Sequence, residues 1–347
     1  MEFGLFVEFP ANSTTTQRQI FKDSMELIDA AEESGSEGIW LAEYHFNPGR
    51  SVLSAPVTVA AAIAARTKRV KIGLAVHVLP LRNPVQIAEE IATLDHLSDG
   101  RLDFGIGRAA FPRIYQGYGL NYAESRERFD ECLEIILKAW TTDKFSFHGK
   151  YYQFDEISVV PQPLQKPHPP MYIAATRTRE TQEFVAGTGH PLIVGVVLDT
   201  VDALALCHTM VDLSKQKGKN MTMGQIPFFR YFYVAETEEQ AKADSRAALD
   251  WNIDMIQWRR TFDFGSEVWE KIEDFRKTRT ELPPSYDYLY ENRAFIGSPD
   301  QIIAKIKALQ DQGIEYFGCN FSFGGMPQDK VLKSMRLFAK EVMPAFK

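Results

Sequence analysis

The sequence has few cysteines and no long apolar run. Its 347 residues include three cysteines, Cys132, Cys207 and Cys319, which lie far apart and form no CxxC pair, so neither a disulfide framework nor a zinc ribbon is indicated. The longest apolar stretch, APVTVAAAIAA, has about half of the ~20 residues needed to cross a bilayer. The start, MEFGLFVEFP, lacks the basic residues and longer apolar run of a secretory signal. We expect reduced, buried cysteines in a cytoplasmic protein without a membrane partner.

An excess of basic residues is also lacking. Lys and Arg total 39 against 46 Asp and Glu, which gives a net charge of -7 at pH 7, and the chain has no long basic run. A protein that binds nucleic acid normally carries a basic patch or stripe to neutralise phosphates. The composition therefore argues against nucleic acid as a partner.

What the sequence does have is an alternation of short strand-like runs and longer segments of helical period. This rhythm is typical of parallel βαβ units. It predicts eight strands, at 2–9, 38–43, 69–78, 101–107, 171–176, 191–198, 225–235 and 314–321. Because no long polar linker divides the chain, the pattern favours one closed (β/α)8 TIM barrel spanning 1–347 over an open sheet.

Two segments interrupt this rhythm. In 144–160, aromatic-rich runs flank His148 and Gly149, and the pattern predicts a surface hairpin inserted into the barrel. Segment 258–293 carries many charges and aromatics without a clean period, which predicts a lid-like loop. We expect both insertions to help to cover the barrel mouth.

The second strand ends in two residues suited to catalysis. In a barrel, side chains that follow the strands converge at one end. Glu43 and His45 occupy alternate positions there and project to the same side. Histidine is the only side-chain type whose unperturbed pKa lies near neutrality, which suits His45 to proton transfer or to hydrogen bonding a developing anion. The alternatives are a core histidine satisfied by a carboxylate, or a metal ligand. No second histidine stands at ligand spacing, and His77 and His96 are explained as strand and helix residues, so we expect no metal.

The stretch FGIGRAAF at 104–111 combines small residues with an arginine. Gly105, Gly107 and Ala110 match the GxGxxG/A pattern of dinucleotide sites, but three βα units precede it, whereas a Rossmann fingerprint normally lies on the first. A second alternative is that small residues merely permit a sharp turn. We favour a thin wall that a planar ligand approaches, with Arg108 as a forked donor to a phosphate or carboxylate.

The stretch AATRTRETQEF follows the fifth strand and opens a short helix. Thr176, Arg177, Thr178 and Thr181 place hydroxyl and guanidinium groups at a helix N-terminus, where free N–H groups and the helix dipole favour an anion. We interpret this stretch as a site for a terminal phosphate. The alternative is ordinary N-capping by Thr178 beside solvated arginines.

Four stretches together resemble the bacterial luciferase-like flavin-dependent monooxygenase family. They are LAEYHF, the long block RTKRVKIGLAVHVLPLRNPVQIAEEIATLDHLSDGRLDFGIGR, PPMYIAATRTRETQEFVAGTGHP and IGSPDQIIAKIKALQDQGIEYF. The resemblance implies a (β/α)8 barrel that binds reduced FMN (FMNH2) from a separate flavin reductase. It implies that the flavin reacts with O2 to a C4a-hydroperoxide, which oxygenates a small organic substrate, and that the protein is a homodimer.

The same resemblance implies roles for individual residues. Glu43 lies beside the flavin and His45 matches a catalytic histidine. Ala75 and Val76 fall where the family has a non-prolyl cis peptide packed on the isoalloxazine ring. Further cofactor positions in this chain are Gly107, Arg108, Thr176, Arg177, Thr178, Thr181 and Gly195.

Three residue differences from luciferase itself argue against light emission as the expected reaction. Tyr44 stands where luciferase has a second histidine, Gly107 where it has a reactive cysteine, and Gly195 where it has a serine. We therefore expect oxygenation of a small, apolar or aromatic substrate without light emission. Two alternatives share the architecture: an F420-dependent oxidoreductase that transfers hydride, and a non-catalytic flavin-binding protein.

Overall fold

The computed structural model describes residues 1–11, 15–47, 49–109, 111–174, 179–263 and 285–346, with the backbone alone for 254–263. The strands are β1 Glu2–Val7, β2 Gly38–Leu41, β3 Lys71–Leu74, β4 His77–Val78, β5 Leu102–Gly107, β6 Phe145–His148, β7 Gln153–Ile157, β8 Met171–Ala174, β9 Leu192–Ile193, β10 Phe228–Val234, β11 Ala294–Gly297 and β12 Tyr316–Asn320. The helices are α1 Gln17–Ser34, α2 Pro56–Arg66, α3 Pro84–Leu97, α4 Pro112–Gly117, α5 Ser125–Thr141, α6 Arg179–Thr188, α7 Thr200–Gln216, α8 Glu238–Asp263, α9 Tyr286–Asn292, α10 Pro299–Gln310 and α11 Gln328–Leu337.

Ten of these strands form one parallel, curled sheet. Its order is β11-β10-β12-β1-β2-β3-β5-β8-β9, with β4 beside β5. An isolated bridge between Val194 and Phe228 joins the chain after β9 to the start of β10. Most of the connections between neighbouring parallel strands contain helices, as βαβ geometry requires. The carboxyl ends of the strands therefore meet at one face, called the mouth below.

Aromatic rings packed against glycines fill the inside of the curled sheet. A Cβ on Gly73 would lie 2.2 Å from the ring of Trp40, and one on Gly318 would lie 1.9 Å from Phe229. The indole Nε1 of Trp40 donates a hydrogen bond of 2.9 Å to the hydroxyl of Tyr316. Because these rings occupy the centre, a ligand that reaches the strand ends must enter from the mouth.

Two predictions about local structure are confirmed. Strands β6 and β7 form the antiparallel hairpin, with His148 paired to Gln153. His148 is exposed there and lies 3.2 Å from a carboxylate oxygen of Asp155. The three cysteines are free and buried. None of the helices in the described ranges is long and apolar enough to span a membrane.

The prediction of strands was wrong at three places: two predicted strands have other bounds, and one strand was missed. Segment 69–78 is not one strand, because a cis peptide bond between Ala75 and Val76 separates β3 from β4. The strand at 191–198 is reduced to the two residues of β9. Strand β11, which pairs with β10, was missed because four apolar residues beside a charged stretch show no period. Of the predicted lid 258–293, residues 264–284 lie outside the described residues, and 286–292 form α9.

Candidate functional site

A buried carboxylate, Glu43, holds two histidines together at the mouth. Its Oε1 lies 2.7 Å from Nε2 of His45, and its Oε2 lies 2.8 Å from Nδ1 of His77 in β4. The backbone N–H of Val78 also donates to Oε2, at 3.4 Å. The side chains of Glu43 and His77 are fully buried and that of His45 is 3% exposed. One carboxylate therefore fixes two imidazole rings that come from different segments of the chain.

The surroundings keep this carboxylate ionised. Burial alone would raise the pKa of the Glu43 carboxyl. The electrostatic effect of His77 and the hydrogen bonds from both histidines outweigh burial, and the pKa falls from 4.5 to about 2. Arg82 adds to this effect, with Nη2 3.8 Å from Oε1. An ionised carboxylate only accepts hydrogen bonds, so the proton of His45 is on Nε2 and that of His77 is on Nδ1.

The second ring nitrogen of His45 is also engaged. The hydroxyl of Tyr118 lies 3.0 Å from Nδ1, and the two rings meet edge to face with centroids 5.2 Å apart. Because Nε2 carries the proton, Nδ1 accepts and the Tyr118 hydroxyl donates. Burial raises the pKa of Tyr118, which keeps this hydroxyl protonated. With Tyr118 44% exposed, a hydrogen-bonded chain runs from buried Glu43 through His45 to the surface.

A wall of backbone and small side chains adjoins this cluster. The Ala75–Val76 peptide bond is cis, at the position that the family resemblance implied. A Cβ on Gly107 would lie 2.5 Å from Cγ2 of Val76, and one on Gly105 would lie 2.0 Å from a backbone carbonyl oxygen of β3. Glycine is thus required for β3 and β5 to approach this closely. Since His77 follows Val76 directly, the thin wall and the carboxylate cluster are neighbours.

Cationic and hydroxyl groups gather near the start of α6. Nη1 of Arg126 donates to Oγ1 of Thr181 at 3.3 Å, and its Nε donates to Asp130 at 3.1 Å. Burial raises the pKa of Asp130, and the charges of Arg126 and Arg108 oppose that rise. A threonine hydroxyl in the first turn of a helix, together with two arginine side chains from other elements, can bind a phosphate group.

The remaining residues predicted for the site fall into two groups. Thr176, Arg177 and Thr178 lie outside the described residues. Gly195 follows β9, and its carbonyl oxygen accepts a 3.2 Å hydrogen bond from Nη1 of Arg230. A Cβ on Gly195 would meet no atom within 4 Å, so packing among the described residues does not require glycine there.

Sequence reasoning missed four residues that the structure adds to the site: His77, Arg82, Tyr118 and Arg126. We interpreted His77 as an ordinary strand residue because a continuous strand over 69–78 accounted for it. Tyr118 follows α4 and Arg126 lies in the first turn of α5, away from the strand ends where site residues were expected. The first arginine in ESRERF, Arg126, was a usable signal, since a helix that begins after a predicted site strand can supply a cation to a phosphate site.

Comparison with known proteins establishes the family. Residues 1–316 match the family model for luciferase-like monooxygenases, and the chain belongs to this family. It is 28% identical to the oxygenase component of a flavin-dependent trigonelline monooxygenase from Acinetobacter baylyi, over 100% of this chain and 96% of that protein. The chain is therefore an oxidoreductase of the flavin-dependent monooxygenase class.

Solved structures share the fold. The monooxygenase RslO1 from Streptomyces bottropensis superposes with a TM-score of 0.82 at 26% identity, over 100% of both chains. The oxygenating constituent of 3,6-diketocamphane monooxygenase from Pseudomonas putida, solved in complex with FMN, gives a TM-score of 0.82 at 20% identity. That match covers 99% of this chain and 98% of the other.

The lowered pKa of Glu43 predicts an acid-dependent contribution to stability. A group whose folded-state pKa is depressed stabilises the fold above its unfolded-state pKa and loses that contribution as pH falls. We expect Glu43→Gln to lower the free energy of unfolding at neutral pH by about 3 kcal/mol. The difference from the parent protein should shrink as pH falls from 4.5 towards 2. Urea titrations at a series of pH values measure it.

The matched control is Glu134→Gln, because Glu134 is 56% exposed and pairs with Lys138 on the same helix. It should change the free energy of unfolding by no more than about 0.5 kcal/mol. A Glu43→Gln deficit that stays constant through the acid range would contradict the assigned pKa.

Proposed function

We propose that the chain is the oxygenase component of a two-component monooxygenase, which takes FMNH2 from a separate flavin reductase and uses O2 to oxygenate a small organic substrate. The observation that carries this proposal is the position of Glu43, His45 and His77 directly beside the thin wall at Ala75 and Val76. Flavin chemistry requires a group that transfers protons beside a surface on which the planar isoalloxazine ring can pack. The family and its FMN-bound structural relative support the choice of cofactor.

The residues present fit FMN at both of its ends. Arg108, Arg126 and Thr181 would bind the phosphate. Thr176, Arg177 and Thr178, in the segment before Thr181, would complete the cradle. At the other end, the wall formed by Ala75, Val76 and Gly107 would pack on the isoalloxazine ring, with Glu43 and Gly195 at its border. Bound FMNH2 supplies the electrons that reduce O2.

His45 is the catalytic residue in this proposal. Glu43 fixes the orientation of its ring and the proton on Nε2, while Tyr118 occupies Nδ1. Because the Nε2–H is given to Glu43, Nδ1 is the nitrogen through which His45 exchanges a proton, either through the Tyr118 hydroxyl or with a reacting group that takes the place of that hydroxyl. Tyr118, which is 44% exposed, offers a route by which such a proton exchanges with solvent.

We further propose that the curled sheet is a complete (β/α)8 barrel forming a single domain over 1–347. The bridge between Val194 and Phe228, which links the two sides of the sheet, supports closure. Family membership supports a homodimer that works in the cytoplasm beside its reductase. The relatives' names, trigonelline monooxygenase and 3,6-diketocamphane monooxygenase, support a small cyclic substrate. The aromatic side chains around the mouth favour an apolar or aromatic one.

The proposal predicts the outcome of a single-turnover experiment under ¹⁸O2. Protein loaded with FMNH2 is mixed with ¹⁸O2 and a panel of trigonelline, 3,6-diketocamphane and acetophenone, and products are analysed by mass spectrometry. We expect one ¹⁸O atom in the product of at least one compound. His45→Asn should bind FMNH2 with unchanged affinity but form product at least about 10²-fold more slowly, because it lacks the proton-transfer group.

The same experiment separates the alternatives. Unaltered product formation by His45→Asn would refute the role of His45. Failure to bind FMNH2 together with reduction of F420 by an alcohol would establish the hydride-transfer alternative. Binding of FMNH2 without any oxygen consumption above that of free flavin would leave a non-catalytic flavin-binding protein.

The phosphate site predicts a specific loss of FMN affinity. Arg126→Gln should weaken binding of FMNH2 by about 10- to 100-fold, since hydrogen bonds between charged groups contribute about 1.5–3 kcal/mol. Binding of reduced riboflavin, which lacks the phosphate, should not change. Anaerobic fluorescence or calorimetric titration measures both. Arg128→Gln is the control, because Arg128 lies on the same helix but pairs with Glu124 at 2.8 Å. Equal loss for FMNH2 and reduced riboflavin would place the phosphate elsewhere.

A further inference from the structure

A second buried polar cluster lies at the mouth, and the proposed reaction does not use it. Glu8 follows β1, and its Oε1 accepts hydrogen bonds from the hydroxyl of Tyr44 at 2.6 Å and from Nη2 of Arg50 at 2.5 Å. Its Oε2 accepts from Nδ2 of Asn320, the last residue of β12, at 2.9 Å. Glu8 and Asn320 are fully buried and Arg50 is 4% exposed. These four residues are called the Glu8 cluster.

The guanidinium of Arg50 is fixed in place and paired in charge. Its Cζ lies 5.0 Å from the ring centroid of Tyr44 and 5.1 Å from that of Trp251, so two aromatic rings contact it. Burial would lower the pKa of Arg50, but the charge of Glu8 and the neighbouring tyrosines raise it above its usual value. Arg50 and Glu8 therefore form a charged pair whose net charge is zero.

Among the residues that the structure describes, two atoms of the cluster have no hydrogen-bond partner. They are Nη1 of Arg50 and Oδ1 of Asn320, and both are buried. The orientation of the Asn320 amide is fixed, because its nitrogen must face the carboxylate of Glu8. Buried polar atoms in folded proteins are nearly always paired, so an unpaired donor and an unpaired acceptor on the same cluster call for a partner.

Elsewhere the chain satisfies a structural arginine fully. Arg101 makes five hydrogen bonds, to the carbonyl oxygens of Ser98, Val70, Ala64 and Thr67 and to the hydroxyl of Thr67. That guanidinium fastens the ends of α2 and α3 to the sheet. Arg50 and Arg230 are more deeply buried than Arg101, and each has one terminal nitrogen without a partner among the described residues. At Arg50 the unpaired nitrogen is accompanied by an unpaired acceptor, Oδ1 of Asn320, on the same carboxylate.

The position of the cluster relative to the proposed flavin site suggests its use. The flavin residues come from β3, β5 and the chain that follows β8 and β9. The Glu8 cluster belongs to β1, β12 and the loop after β2, on the other part of the curled sheet. Tyr44 stands between Glu43 and His45 in the sequence, so the cluster and the catalytic residues share the end of β2. Because β2 separates β12 and β1 from β3 and β5 in the sheet, a substrate at the proposed flavin site would have the Glu8 cluster on the other side of the end of β2.

We propose that the Glu8 cluster is a substrate subsite that binds a neutral carboxamide or hydroxyl group. Arg50 Nη1 donates to the oxygen of that group, and Asn320 Oδ1 accepts its hydrogen. A neutral group is preferred over a carboxylate because Glu8 already balances the charge of Arg50, and because the lone pair of Asn320 repels an anion. The inference rests on the proposed function, since it places the substrate between this cluster and the flavin.

The test compares three probes of the same ring size, benzamide, benzoate and toluene, by anaerobic calorimetry on the protein loaded with FMNH2. The parent protein should bind benzamide at least about tenfold more tightly than either of the other two, since a site built to hydrogen-bond a group rejects analogues that lack it. Arg50→Lys keeps the charge opposite Glu8 but removes the second terminal nitrogen. It should lose most of this preference while binding FMNH2 as before.

Arg66→Lys is the matched control, because Arg66 forms an exposed ion pair with Asp29. It should alter neither probe binding nor FMNH2 binding. Equal binding of benzamide and toluene by the parent protein would overturn the proposal. This comparison uses the parent protein alone, so it is valid even if a variant fails to fold. An Arg50→Lys protein that keeps the benzamide preference would also overturn it. If FMNH2 itself does not bind, the proposed function is refuted. If FMNH2 binds but the preference for benzamide is missing, only the substrate subsite is refuted.

Discussion

The site depends on one interaction, the hydrogen bonding of a buried carboxylate, Glu43, to two histidines. Placing a charge in the protein interior is costly unless the charge is paired and hydrogen-bonded. Here each carboxylate oxygen has its own imidazole partner, at 2.7 and 2.8 Å. If this carboxylate were neutral, it would no longer determine which nitrogen of His45 and of His77 carries the proton. The Tyr118 hydroxyl would then no longer be fixed as the donor to His45.

The division of the mouth into two unlike halves follows from residue size at the strand ends. Gly105 and Gly107 on β5, with the cis bond at Ala75 after β3, keep the wall of one half thin. The other half has Glu8, Arg50 and Asn320, which are large, polar and buried. A planar cofactor is suited to the first half, and a polar group of a substrate is suited to the second. His45 and Tyr44 mark the boundary, at the end of β2.

Much of this arrangement could be predicted from the sequence, for a physical reason. Parallel strands read as short apolar runs between helical periods, and the residue after each run must lie at the mouth, which is how Glu43, His45 and Arg108 were found. The cis bond at Ala75 and Val76 was implied by family resemblance alone, since local propensity does not specify it. His77 was interpreted as an ordinary strand residue, because the pattern of residues 69–78 gives no sign that a cis bond divides this segment into two strands. Arg50 and Asn320 were not considered, because their partnership with Glu8 joins segments up to 312 positions apart.

The most direct test of the central interaction is ¹⁵N NMR of the imidazole rings, which reports the protonation of each nitrogen at neutral pH. The account predicts protons on Nε2 of His45 and Nδ1 of His77, both shifted downfield by the carboxylate and protected from exchange with water. It further predicts that Glu43→Gln removes the downfield shift from both. An unprotonated Nδ1 on His77, or a His45 ring that interconverts freely between tautomers, would contradict it.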